Sequence, residues 1–163
     1  MYLVGFTLLM IFYALTSDAF VLEVYAHPVP EYEVTEADLR VEQYREEIEI
    51  LAYCTMAEAG NQGPLGKKLV IDVILNRTEC IYFPGDTVEE VVFCPGQFAV
   101  VSNGSIFRTE PTEDIWELIE EELQERTNTE VVFFQLYRYS SSGEPWAKVG
   151  DHYFSTLRKE LRT

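Results

Sequence analysis

The sequence predicts a mainly α protein of the α+β class, a helical domain with a small β element. Three observations predict it. A long helical pattern stops at Gly60, and Gly63-Pro64 opens a second, densely apolar helix, the usual glycine stop and proline start. Residues 131–139 are rich in Val, Phe and Tyr and read as strand. The chain has 163 residues, 47% hydrophobic and 13% aromatic, enough for one domain with a real core.

The N-terminal elements come first. Residues 2–15 are almost continuously apolar, a length that suits a signal-peptide core better than a full membrane span. Ser17-Asp18-Ala19 and Val24-Tyr25-Ala26 both fit small-x-small cleavage patterns, although no Lys or Arg precedes Arg40. Residues 1–26 therefore read as a signal peptide or N-terminal membrane anchor, with an apolar segment packed on the domain as the alternative. Residues 27–38, with Pro28 and Pro30, form an extended linker. The folded domain occupies 39–163.

Its first helix runs over about 36–59. On the helical wheel Glu42, Arg45, Glu46 and Glu49 share a solvent face, and Glu58 points about 180° from Glu49. Glu58 sits in Ala57-Glu58-Ala59-Gly60, with Tyr44, Leu51, Cys54 and Thr55 as its wheel neighbours. A glutamate held against an apolar face keeps its proton toward neutral pH and can act as a general acid. Glu47, further back on that side, is the second candidate.

The second helix covers about 65–77. Lys68, Asp72 and Asn76 recur at i, i+4, i+8 and form a polar stripe, expected to be a wet or site-facing edge. Thr87-Val88-Glu89-Glu90 is a capping box for a short helix to about residue 93. Pro95-Gly96 then starts a loop carrying Gln97 and Phe98. A further helix over about 112–126 has the stripe Ile115, Trp116, Ile119 and Leu123. Residues 140–143 read as a turn or lid, and the tail brings Gly150-Asp151-His152-Tyr153-Phe154.

Charge narrows the function classes. Lys and Arg total 12 against 28 Asp and Glu, a net charge of -16. Nucleic-acid binding needs basic surface and is excluded. Electrostatic attraction to anionic membranes or wall polymers is disfavoured too, so such a polymer must be held by shape and hydrogen bonds. The acidic clusters at 31–49 and 110–125 read as solvated helix faces, with no calcium-loop pattern. Two histidines and three cysteines without zinc spacing predict no metal and no cofactor. In an oxidising compartment Cys80 and Cys94 could close a short loop, worth about 3 kcal/mol in the chain-entropy model, with unbridged cysteines as the alternative. Cys54, inside the first helix, reads as a small core residue.

Four marks stand in order: Ala57-Glu58-Ala59-Gly60, Val73-Ile74-Leu75-Asn76-Arg77, Pro95-Gly96-Gln97-Phe98 and Gly150-Asp151-His152-Tyr153-Phe154. With Tyr82-Phe83-Pro84 and Val91-Val92-Phe93 between them, residues 50–155 resemble the cell wall hydrolase family of the SleB/CwlJ type. The resemblance implies a lysozyme-like helical fold and cleavage of peptidoglycan between N-acetylmuramic acid and N-acetylglucosamine by lytic transglycosylation. It places the family's catalytic glutamate on Glu58, its Gln-Phe motif on Gln97 and Phe98, and its closing histidine on His152. Ala99, Asp151 and Ser155 depart from the family's usual Ser, Asn and Tyr and are expected at the rim of the site.

The expected substrate-binding set is Gln97, Phe98, Asn76, His152 and Tyr137, and each keeps a structural alternative. Gln97 is a saccharide contact or a loop brace, and Phe98 a sugar platform or core. Asn76 touches substrate or caps its helix, and His152 contacts substrate or braces backbone. Tyr137, like Tyr139 and Trp146, lines a glycan groove or packs inside. Arg77 reads as an ion-pair donor to a nearby acid. A two-carboxylate muramidase would need a partner for Glu58, with Asp86 and Glu89 conceivable. A catalytically silent wall-binding or membrane-tethered module is the alternative outside enzymes. The implied setting is export to the wall, periplasm or exterior, free or tethered through residues 2–15. A monomer acting on glycan strands is expected, in an endolysin-type or accessory role.

Overall fold

The computed structural model describes residues 34–161. The apolar leader, both cleavage patterns and the Pro28–Pro30 stretch lie outside the described residues. Among the described residues no helix is long and apolar enough to cross a membrane.

Helix α1 spans Glu36–Ala59. Thr35 caps it, its hydroxyl accepting the Asp38 N–H while the Asp38 carboxylate accepts the Thr35 N–H, a reciprocal capping box. The early turns are solvated. Leu51, Ala52, Cys54, Thr55 and Ala59 are buried, as the wheel requires. Helix α2, Pro64–Thr78, starts with proline in its first turn, and its residues from Leu69 to Arg77 are all buried. Its core positions, Val70, Ile71 and Ile74 among them, form one cluster with Leu51 and Cys54 of α1, Ile115 and Ile119, and Val131 and Phe154.

Helix α3, Val88–Phe93, begins at Thr87, whose hydroxyl accepts the Glu90 N–H at 3.2 Å. The Glu90 carboxylate accepts from Asp86 rather than Thr87, so only half of the expected box forms. Helix α4, Ala99–Ser102, is a single turn where the sequence reads as loop, followed by a 3-10 turn at Ser105–Arg108. Helix α5 spans Glu113–Gln124.

Strands β1 (Val131–Gln135), β2 (Gly143–Val149) and β3 (His152–Leu157) form an antiparallel sheet in the order β1-β3-β2. One expectation is corrected here. The strand at 131 ends at Gln135 instead of continuing to 139, because its partner β3 begins at His152, one residue past the Gln135 and Tyr153 pairing. The turn expected at 140–143 forms at Ser141–Ser142, closed by the Gly143 N–H on the Ser140 carbonyl at 3.2 Å, and leads into β2. That edge strand tolerates Pro145 at a shift in register, the place where a sheet accepts proline. Gly143 is needed there, because a Cβ would lie 2.7 Å from the Ser155 Cβ.

All three cysteines are free. Cys80 packs beside the small Phe83, Val132, Leu157 cluster, and Cys94 ends α3. The 80–94 loop is thus held by packing and not by the disulfide considered from sequence.

The polar stripe of α2 is also corrected. Asp72 and Asn76 are buried under α5 and the loop leading to β1, and Lys68 is half-buried. Asp72 Oδ2 accepts the Asn128 N–H at 2.7 Å. Glu122 accepts the Thr127 N–H at 2.6 Å and its hydroxyl at 2.8 Å, with Lys68 Nζ at 3.2 Å. Arg126 stands 3.9 Å from Asp72 and 2.9 Å from Glu79. Burial, then the neighbouring Glu122, pushes the Asp72 carboxyl up to about 7. Burial would raise Glu122 as well, but the Thr127 donors, the Asp72 proton and Lys68 together hold it below its usual value.

The folded chain therefore keeps the Asp72 proton over a range where the unfolded chain, at 3.8, has lost it. Stability from this group falls as pH rises from about 4 to about 7. Asp72→Asn supplies an amide that donates to Glu122 and accepts from Asn128 at every pH. The variant is expected to gain in Tm relative to wild type as pH rises through this window. Parallel Tm-against-pH curves would show that no proton is held there.

Candidate active site

Glu58 lies on the last turn of α1, half-buried at the wall of a cleft of about 500 Å³. Four pieces of chain meet around it: the end of α1, Arg77 of α2, the segment Gly96 to Ala99, and the sheet edge with Phe134 to Arg138 and His152. Among the described residues, Glu58 is the only carboxyl lining this cleft. Burial raises its pKa above the ordinary glutamate value, opposed by the Val100 N–H and the Arg77 charge. Val100 is in the first turn of α4, where backbone donors have no helical acceptor. The short helix missed in the sequence thus supplies the carboxylate's hydrogen-bond donor. Cys54, one turn back, has its thiol raised well above the usual range by burial and then by Glu58, so it is an inert core group.

Arg77 organises the floor. Its Nε donates to the Val132 carbonyl at 2.8 Å and its Nη1 to Gln97 Oε1 at 3.2 Å. The guanidinium lies 4.7 Å from the Phe83 ring centre and 4.9 Å from that of Phe98. Burial lowers its pKa to about 10, which leaves it charged at neutral pH. The expected ion pair is not made: among the described residues Arg77 has no carboxylate within salt-bridge distance, and its partners are a carbonyl, an amide and two aromatic faces.

The other sequence-derived residues divide. Gln97 lines the cleft, half-buried, its oxygen occupied by Arg77. Tyr137 stands at the rim, 89% exposed, between Leu136 and Arg138. His152 forms part of the wall, with its ring 5.0 Å from Phe134 and 5.9 Å from Phe154. Burial lowers its pKa against the pull of Asp151, so the imidazole is neutral, with Nδ1 buried and without a hydrogen-bond partner. Phe98 is not on the cleft surface. It is 2% exposed and packed between Arg77 and Phe134. Asn76 is likewise outside the cleft, its amide donating to the Asn128 and Val131 carbonyls and accepting from Arg126. Glu47, Asp86, Glu89, Tyr139 and Trp146 do not line it either.

Of the three departures from the family pattern, only Ala99 reaches the cleft. Ser155 is buried in the central strand, its hydroxyl accepting the Ser140 N–H. Asp151 faces Gln62, a residue with no distinguishing sequence signal. The Asp151 N–H donates to Gln62 Oε1 at 3.0 Å, and Gln62 Nε2 donates to Asp151 Oδ2 at 3.2 Å. Gly150 makes this possible with φ +57, and a Cβ there would overlap Gln62 Oε1. Gln62 therefore ties the turn before His152 to the loop just after Glu58. Phe134 and Arg138 were also unmarked by the sequence, being one strand residue among aromatics and one charge in a tail. Among the described residues no group of three or more His, Cys, Asp or Glu side chains could hold a metal ion.

A profile of the cell wall hydrolase family matches residues 61–155, more than half of the chain. Two solved structures are similar. One is the catalytic domain of the Bacillus cereus SleB protein, with TM-score 0.59 and 26% identity over 69% of this chain and 91% of that one. The other is the catalytic domain of a germination-specific lytic transglycosylase, SleB from Bacillus anthracis, with TM-score 0.58 and 26% identity over 69% of this chain and 95% of that one. Comparison with curated protein sequences finds no match.

Proposed function

The chain belongs to the cell wall hydrolase family, and from that premise we propose that Glu58 is the acid and base of a lytic transglycosylase acting on the N-acetylmuramic acid to N-acetylglucosamine bond. The protein is a peptidoglycan-lytic enzyme with a SleB-like α+β fold. What supports this mechanism is that, among the described residues, Glu58 is the single carboxyl in the cleft. Two-carboxylate glycosidases place their acids roughly 5–9.5 Å apart across the sugar. Asp86 and Glu89, the conceivable partners, lie elsewhere.

One carboxyl suffices when the sugar supplies its own nucleophile. Protonated Glu58 gives its proton to the glycosidic oxygen as the bond to C1 of muramic acid breaks. The muramic acid 6-hydroxyl then attacks C1 and returns its proton to Glu58. An internal anhydro ring forms, no water is consumed, and the carboxyl is restored. The raised pKa suits the first step, and the Val100 N–H and Arg77 charge suit the ionised form between steps. Gln97 and Tyr137, with His152 in the wall, are the proposed glycan contacts. Phe98 supports them from beneath through Arg77. A wall substrate is in keeping with an exported protein and with the apolar leader at residues 2–15.

Product analysis tests this. Digestion of purified peptidoglycan is expected to release muropeptides ending in 1,6-anhydro-muramic acid. Reducing muramic acid ends would overturn the transglycosylase reading in favour of a muramidase. Retention on insoluble peptidoglycan with no soluble product would favour a silent binding module.

A further inference from the structure

A second groove of about 500 Å³ lies on the opposite face of α1 from Glu58, between α1, α3 and the 3-10 turn. Its base is apolar, from Ile50, Ile106, Phe93 and Phe107. Phe107 is 74% exposed and lies nearly parallel to Phe93, ring centres 6.3 Å apart at 12°. Nothing in the catalytic cleft uses this pair. Glu46, Glu49, Glu89 and Glu110 rim the groove, and among the described residues no lysine, arginine or histidine lines it. Tyr53 donates to Glu110 across one end at 3.2 Å.

We propose that this groove docks a basic amphipathic segment of a partner protein, with an apolar side chain seated on Ile50, Ile106 and Phe107 and Lys or Arg over the glutamates. Charge complementarity picks the occupant. An acidic or neutral peptide would leave four carboxylates facing each other across a partly desolvated base, whereas cations on flexible stems cover both the acids and the aromatic faces. A second copy of this chain, at -16, brings the wrong sign. The stretch from Glu46 to Tyr53 is two helical turns, about 10 Å, which fits anchors at i, i+3 or i+4, and i+7 of a short docked helix. An exposed apolar patch with a polar rim is the ordinary form of an interaction surface. None of these residues lines the catalytic cleft, so the inference stands apart from the role of Glu58.

The test is fluorescence anisotropy with the full chain at physiological ionic strength. The probe is a labelled helical peptide of about 14 residues built from Leu and Lys, four turns long. A Leu and Glu twin is the control. The Lys peptide is expected to bind and the Glu peptide not. Phe107→Ser, and separately the pair Glu46→Gln with Glu49→Gln, should each weaken binding by roughly tenfold, the size of an interface hot spot. The pair Glu117→Gln with Glu120→Gln removes the same charge from the exposed face of α5 and should change binding by less than about twofold. Phe107→Ser should leave muropeptide release unchanged. Equal weakening by both charge pairs would overturn the proposal and leave only general acidity. Self-association lost in Phe107→Ser would overturn it in favour of a second copy. Retention on insoluble peptidoglycan lost in Phe107→Ser, without peptide binding, would overturn it in favour of wall contact.

Discussion

Replacing Glu58 with Gln is expected to slow muropeptide release from purified peptidoglycan by roughly 10²–10⁴-fold, the share that a positioned general acid supplies. The substitution keeps volume and hydrogen-bonding shape but can neither give nor take the proton. Because Glu58 is half-buried and its pKa is raised, the amide costs the fold little, and an unchanged Tm should accompany the lost rate. The pH profile follows with a definite sign. In the proposed mechanism the protonated carboxyl starts the reaction, so activity is expected to decline as pH rises through the raised Glu58 value, later than for an ordinary glutamate. Equal rates for wild type and Glu58→Gln across this range would remove Glu58 from the mechanism.

The second large effect is structural. Arg77→Ala is expected to destabilise the domain by about 2–4 kcal/mol, from an emptied buried site and an unpaired buried carbonyl. For a domain of this size that lowers Tm by roughly 10 °C. The Val132 carbonyl loses its donor, the Phe83 and Phe98 rings lose the plane between them, and Gln97 loses the contact that aims its amide. Arg77→Lys keeps the charge but cannot serve the carbonyl, the amide and both rings at once, so it should recover only part of the loss. Thermal melts of both variants, with rates measured below the lower Tm, separate stability from aim. A Tm within about 2 °C of wild type for Arg77→Ala would contradict the role given to this side chain.

The helices were legible because their ends are marked locally: Gly60 and Pro64 need no tertiary information, and Thr87 caps α3 as read. The direction of Glu58 was legible because a long helix has one geometry and Glu49 had already claimed the solvent side. Other features depend on contacts that pairing or packing alone creates. Gly143 and Pro145 have the chemistry of a turn, and only the neighbouring β3 makes a strand of them. The Lys68, Asp72, Asn76 stripe has the spacing of a wet edge, but α5 and the Asn128 loop cover it with their own polar groups. Phe98 follows Gln97 in sequence, yet the turn into α4 sends it inward beneath Arg77 while Gln97 stays at the surface. Gln62 and Arg138 carried no signal because their significance comes from partners and neighbours far along the chain. The Phe93 and Phe107 groove was invisible for the same reason: two aromatics in separate short elements meet only once both have packed on α1.

The sheet order has a consequence for biosynthesis. Of the three strands described, β3 is made last and lies in the middle of the sheet. Until it emerges, β1 and β2 have no partner, and His152 is absent from the cleft wall. Glu58 leaves the ribosome long before that, on a helix whose cleft does not yet exist. A chain stopped before His152 would carry the acid with unpaired strand edges and an incomplete cleft wall. For an enzyme that dissolves walls, the cleft wall is completed only after β3 has been made.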